Sequence, residues 1–202
     1  DNSAALKAMA SAQRILGWPV VFGPGVVYSI DSVTWNKAVV IGYGTTIKST
    51  SNSVTIFNAA DSCDISGFTF IGNGAAAALP GGVFTLQDGV RIFGIKNEVH
   101  HNRFISMNGS GVNIWAASCC AYNNKVHDNY FTNNTIAVFA MTNSEYTVVS
   151  DNTGEFNFVG FYDRSSSNNR WDNNTMNYSI NSNFRLLGNG DHGSAHGNTF
   201  NH

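Results

Sequence analysis

Several side chains able to do acid–base or sugar-binding chemistry recur at a fixed phase. His100, His127, Ser150, Asp172 and His196 each stand two residues ahead of an asparagine: Asn102, Asn129, Asn152, Asn174 and Asn198. Histidine titrates near neutrality, so this column could supply a base or a ligand, or simply form a solvated polar face. A second set lies roughly ten residues after each asparagine, in Val112-Asn-Ile-Trp115, Ala137-Val-Phe-Ala140, Gly160-Phe-Tyr-Asp163-Arg164 and Asn183-Phe-Arg-Leu186. If Ile114, Phe139, Phe161 and Phe184 point inward, alternation turns Trp115, Ala140, Tyr162 and Arg185 outward, with Asp163 and Arg164 at the strand end. Aromatic rings stack on the apolar face of a pyranose, and guanidinium groups bind carboxylate or hydroxyl oxygens. Trp115, Tyr162, Arg164 and Arg185 are therefore the candidate substrate-binding residues.

Glycoside hydrolysis needs two carboxylates, about 5 Å apart for retention and about 6.5–9.5 Å for inversion. Asp163 and Glu155 are the first pair to consider, because Glu155 precedes the strand that Asp163 ends. The His127 and Asp172 column is the alternative catalytic location. Histidines one repeat apart are too far from one another to share a zinc ion. Calcium is the one cofactor that the many Asp and Asn oxygens would suit, although no calcium-loop motif occurs.

These residues are held in phase by a repeat. The asparagines are spaced 27, 23, 22 and 24 residues apart, and Val99, Val126, Val149, Trp171 and Ala195 stand three before them. Such a period matches one coil of a β-solenoid. Asparagine suits its corners because it tolerates left-handed backbone and its amide can bond the next coil. In the first such coil, Cys63-Asp-Ile-Ser-Gly-Phe68-Thr-Phe70, Phe68 takes the asparagine's place.

The remaining elements frame that stack. After Asp1-Asn2-Ser3, an Ala-rich helix is predicted over residues 4–16, with Ala5, Ala8, Met9, Ala12, Ile15 and Leu16 on one apolar face. Gly17 and Pro19 end it. Its role is to cover the open end of the stack. Short strands follow around residues 19–22, 26–30, 38–41, 46–48 and 54–57, and the stretch 72–82 is expected as a projecting loop.

Composition narrows the class. Only 12% of residues are charged, against 43% hydrophobic, so an extended core is expected with a sparsely charged surface. A net charge of −2 provides no footprint for nucleic acid, and no apolar run is long enough for membrane insertion. Cys63, Cys119 and Cys120 make a poor disulfide framework and read as buried thiols. No initiator Met is present and the last coil stops just past its corner, so the chain reads as a fragment of a longer one.

The succession of this helix, Gly17-Trp18-Pro19-Val20-Val21-Phe22, Gly23-Pro24-Gly25-Val26-Val27-Tyr28-Ser29-Ile30 and the asparagine coils resembles the pectate-lyase-like right-handed parallel β-helix superfamily. In organisation it is most similar to bacteriophage tailspikes, and also to mannuronan C5-epimerase modules. The resemblance implies an all-β fold: one single-stranded right-handed parallel β-helix of about seven coils over residues 18–202, with a capping helix over 1–17. It further implies a homotrimer on a virion tail or in the extracellular space that binds a bacterial surface polysaccharide, with or without cleaving it as a hydrolase or lyase. A non-enzymatic shaft or adhesin segment, and a secreted lyase or epimerase, are the alternatives. The epimerase motif Asp-Pro-His is not found after Gly109-Ser-Gly111, where Val112-Asn113-Ile114-Trp115 stands instead. Trp171 and Val138, apolar residues outside the expected inward pattern, are the protomer-contact candidates.

Overall fold

The computed structural model describes residues 2–74, 87–117, 121–188, 194–196 and 198–201. Parallel strands wind into a β-solenoid of about seven turns behind a single helix, Ser3–Leu16. From residue 98 onward each coil lays one strand on each of three faces. The first face stacks Glu98–His100, Lys125–His127, Val148–Ser150, Arg170–Asp172 and Ser194–His196. The second stacks Arg103–Ile105, Tyr130–Thr132, Thr153–Glu155, Thr175–Asn177 and Thr199–Asn201. The third runs from Val33–Trp35 through Phe57–Ala59, Val90–Ile92, Ser110–Ile114, Ile136–Ala140 and Val159–Arg164 to Ser182–Leu187. In the early coils the first two faces are one long strand, Val39–Ser49 beside Asp64–Ile71, with a register shift between Ile41 and Thr45. Two of the short predicted strands thus merge, and Val33–Trp35 is a strand that the hydropathy pattern did not announce.

Every corner is built alike. One residue takes left-handed backbone, and the next turns its side chain into the coil. At the corner between first and second faces the left-handed residues are His101, Asp128, Asp151 and Asn173, with φ of 54, 54, 56 and 52°. The buried asparagine is the residue that follows, so its role is hydrogen bonding and the left-handed bend falls on its predecessor. Asn102, Asn129, Asn152, Asn174 and Asn198 form a continuous ladder. Each asparagine's backbone N–H and Nδ2 both donate to the Oδ1 of the next, at 2.9–3.2 Å. The ladder ends at Phe68, whose N–H donates to Asn102 Oδ1, as the replacement of asparagine there implies.

The other two corners carry shorter ladders that the single-corner repeat did not reveal. Asn134 and Asn157 bond between the second and third faces, and Asn97 and Asn124 between the third and first. Inside this frame stack Phe70, Phe104 and Phe131, with centroids 5.0 Å apart in each step. Trp171 and Val138 are also interior, 1% and 0% exposed, and so are not the protomer contacts they were expected to be. Cys63 is buried and free, its thiol pKa pushed up by desolvation. Cys119, Cys120 and most of the expected projecting loop lie outside the described residues.

The helix docks by the opposite face from the one its apolar residues suggest. Ser3, Leu6, Ala10 and Gln13 are buried, whereas Met9, Ile15 and Leu16 are exposed. The reason is the terminal strand, whose backbone groups lack a neighbouring coil and need partners. Ser29 N–H donates to Asn2 Oδ1, Asp31 N–H to Ser3 Oγ, and Gln13 Nε2 to the Lys37 carbonyl. The helix caps the stack as predicted, with Leu6 and Ala10 joining the core and these polar contacts beside them.

Candidate functional site

The third face does not form the exposed strip expected of it. Tyr162 is 3% exposed and stacks on Phe139 at 4.7 Å; both join Ile136 and Val159 in a buried cluster separate from the coil interior. The column assignment fails by one residue. Val112 follows the corner residue Met107 by five positions, whereas Val138 follows Asn134, and Phe161 follows Asn157, by four. Phe139 therefore aligns with Asn113 and Tyr162, while Ala140 aligns with Ile114 and Asp163.

Asp163 consequently points inward and is fully buried. It accepts from Trp171 Nε1 at 3.1 Å and from Ser166 Oγ, with Asn169 Nδ2 at 3.5 Å. Glu155 projects outward from the second face and accepts from Tyr130 Oη. One carboxylate is inside the coil and the other outside, so they flank no common groove. Trp115 is half-buried with the Arg91 guanidinium 5.7 Å from its ring. Arg164 is exposed and aligns with Leu187, away from Trp115's coil; exposed Arg185 covers the Tyr162 ring at 5.1 Å. Asp172 is buried on the first face and accepts from Arg170 Nε.

The first corner offers a different arrangement. An open groove of about 560 Å³ is lined by His101, Arg103, Asp128, Tyr130, Asp151 and Thr153, with Asn102 and Asn129 at its floor. The fold explains its shape. Left-handed corner backbone throws the side chains of His101, Asp128 and Asp151 outward in one row. Beside them run Arg103, Tyr130 and Thr153, in strict register on successive coils. The Arg103 guanidinium lies 4.8 Å from the Tyr130 ring centroid. On the other side of the ring the shorter Thr153 follows on the next coil, and both line the groove. Partial burial and the neighbouring Glu155 carboxylate raise the Tyr130 pKa, so its hydroxyl stays protonated as a donor at neutral pH.

His127 adjoins the groove and belongs to a polar network. Its Nδ1 is 2.7 Å from Asp128 Oδ2 and its Nε2 is 2.7 Å from Glu98 Oε1. Its ring is parallel to that of His100 at 5.1 Å, and His100 Nε2 in turn meets Asp64 Oδ1 at 2.9 Å. Partial burial opposes the imidazolium, but the bonds to Asp128 and Glu98 outweigh it and raise the His127 pKa. Glu98 is lowered, first by its hydrogen bond from His127. Of the histidine column, His100 and His127 are thus brought together with carboxylates. His196 lies outside the described side chains.

Arg103, Tyr130, Asp128 and Asp151 were legible as a site in principle. They occupy the positions immediately before and after the repeating asparagine, flanking the bend that the repeat itself marks. Among the described residues no group of three or more His, Cys, Asp or Glu side chains is arranged to hold a metal ion. No described helix is long and apolar enough to cross a membrane. Compared with known proteins, the chain matches no family model and no curated protein.

Proposed function

We propose that this chain is a tailspike-like module that binds a bacterial surface polysaccharide along the first-corner groove. The observation that carries this reading is the Tyr130 ring, backed by Arg103 at 4.8 Å and lining the open groove beside the short Thr153 of the next coil. A pyranose stacked there would bury apolar C–H surface against the ring. Asp128 and Asp151 on consecutive coils would accept from its hydroxyls. A solenoid repeats such positions every ~4.8 Å, so an extended chain can follow the axis. On this reading the protein works on a virion tail or outside the cell, as a homotrimer.

The groove is open and its carboxylates are exposed, which suits binding. A general acid for glycoside cleavage needs a carboxyl kept from water. The shaft reading has its own support: the third face buries Tyr162 and the coil interior takes up Asp163, so those residues serve the framework. The two readings separate experimentally. The protein is titrated against capsular and O-antigen polysaccharides by calorimetry, alongside Tyr130→Ala and Thr153→Trp, which fills the space over the ring. Binding by the parent that falls about tenfold or more in both variants, the scale of one lost aromatic contact, supports the groove. No binding to any polysaccharide, with release of neither reducing ends nor unsaturated products, leaves the shaft.

A further inference from the structure

A neutral imidazole cannot make both of the contacts found at His127. It carries one N–H, and its other nitrogen offers a lone pair. Both His127 nitrogens face carboxylates at 2.7 Å, and carboxylates only accept. The observed geometry is that of an imidazolium donating twice. Loss of the proton leaves one nitrogen lone pair opposed to a carboxylate, and one of the two contacts must open.

The surroundings decide which one. Glu98 belongs to a first-face strand and is aligned with Lys125 on the next coil, a cation that favours its present position. Asp128 occupies the corner itself, with its side chain 46% exposed. Asp151 stands at the equivalent corner position on the following coil, and the open groove beside both corners lets water solvate a freed carboxylate. His100, stacked on His127, meets Asp64 Oδ1 through Nε2 at 2.9 Å and His101 Nδ1 through its own Nδ1 at 2.7 Å. The strand neighbour on the remaining side is Ser150, which carries no charge.

We infer that His127 is a positioning residue for the groove: charged, it holds the Asp128 carboxylate against the groove wall; neutral, it releases that carboxylate into the open groove. Groove chemistry therefore differs across the histidine range. In acid the wall presents a paired Asp128 and a single free Asp151. Above the His127 transition two unpaired carboxylates stand on adjacent coils, a stronger acceptor array for sugar hydroxyls. This deepens the polysaccharide reading and rests on it for the ligand, while the device itself is measurable without one.

The test is an NMR titration of uniformly ¹³C,¹⁵N-labelled protein between about pH 5 and 8. Below the transition both His127 nitrogens should carry protons. Through it, the Asp128 carboxyl carbon and the Asp151 amide should move with the His127 midpoint. Asp128→Asn should shift that midpoint downward, and His127→Gln should abolish the pH response at Asp151. Unperturbed amide signals of Asn129 and Asn152 establish that the variants fold. If His127→Gln does not fold, the exposed Asp128→Asn carries the test alone. An Asp128 carbon that ignores the His127 midpoint, or a midpoint unmoved by Asp128→Asn, overturns the inference. Neither result depends on Tyr130, so failure of polysaccharide binding and failure of the device are distinguishable.

Discussion

Asn129 and Asn152 stand one coil apart and are joined twice. Asn152 Oδ1 accepts the backbone N–H of Asn129 at 3.1 Å and its Nδ2 at 3.0 Å, while Asn152 Nδ2 donates to the Val126 carbonyl at 2.8 Å. Asn152→Leu orphans the first donor and the last acceptor in a fully buried corner. Each such group costs about 1–3 kcal/mol. The denaturation midpoint in urea should fall by a corresponding amount, far more than for Asn198→Leu at the less buried end of the ladder. Equal effects at the two positions would contradict a load carried by buried bonds.

Asp163 is predicted to act on stability and to leave sugar binding alone. Asp163→Ala removes the acceptor of Trp171 Nε1 and of Ser166 Oγ inside the coil. Unfolding free energy should drop by about 2–4 kcal/mol, the sum of buried donors left unpaired. Polysaccharide affinity, measured on the folded fraction, should match the parent. A variant of full stability with lost binding would place Asp163 at the ligand instead of in the framework.

Tyr146 offers a stabilising change. It holds φ at 52° and is 55% exposed, whereas Asn123 and Asn168 fill the same corner position on the coils either side. Left-handed backbone costs an ordinary residue roughly 1–2 kcal/mol, a penalty that asparagine partly escapes. Tyr146→Asn should raise thermal stability by about 0.5–1 kcal/mol. A decrease would mean that the exposed ring makes a contact of its own.

Stability should pass through a maximum in mild acid. The His127 pKa is raised above its ordinary 6.5, so its contribution is complete below that value and is lost as pH rises through the folded-state pKa. Glu98 is lowered from its ordinary 4.5, so its contribution is present above that value and is lost as pH falls through its folded-state pKa. Together they favour the window between about 4.5 and 6.5. Thermal melts across pH should show this maximum flattened in His127→Gln. An unchanged profile in that variant would place the pH dependence elsewhere.

Much of the architecture was readable from the chain. A single asparagine every twenty-odd residues, with an apolar residue three before it, was enough for the coil period, the first ladder and its end at Phe68, whereas Trp171, expected outside the inward pattern, joins the interior. The two minor ladders were harder to see, because Thr147 and Met107 interrupt them in sequence. The helix was placed correctly and faced wrongly. Its Ala-rich stripe is only weakly apolar, and the hydrogen bonds of Ser3 and Gln13 to the terminal strand outweigh it.

The candidate site shows where sequence alone stops. Local chemistry determined which residues could bend, ladder and stack, since a left-handed corner and an amide bond depend on the residue itself and its copy one repeat away. Which side of a strand faces water depended on counting from corner to strand, and a one-residue difference in that count exchanges the two faces. Phe139 and Ala140 changed places by that exchange, and Phe139, turned outward, stacks on Tyr162 and covers it. The pairing of His127 with Glu98, and of Tyr130 with Arg103, exists only because successive coils bring residues 27 to 29 positions apart into lateral contact. Tertiary structure decided the site because its members meet across coils, where the parallel register sets the neighbours.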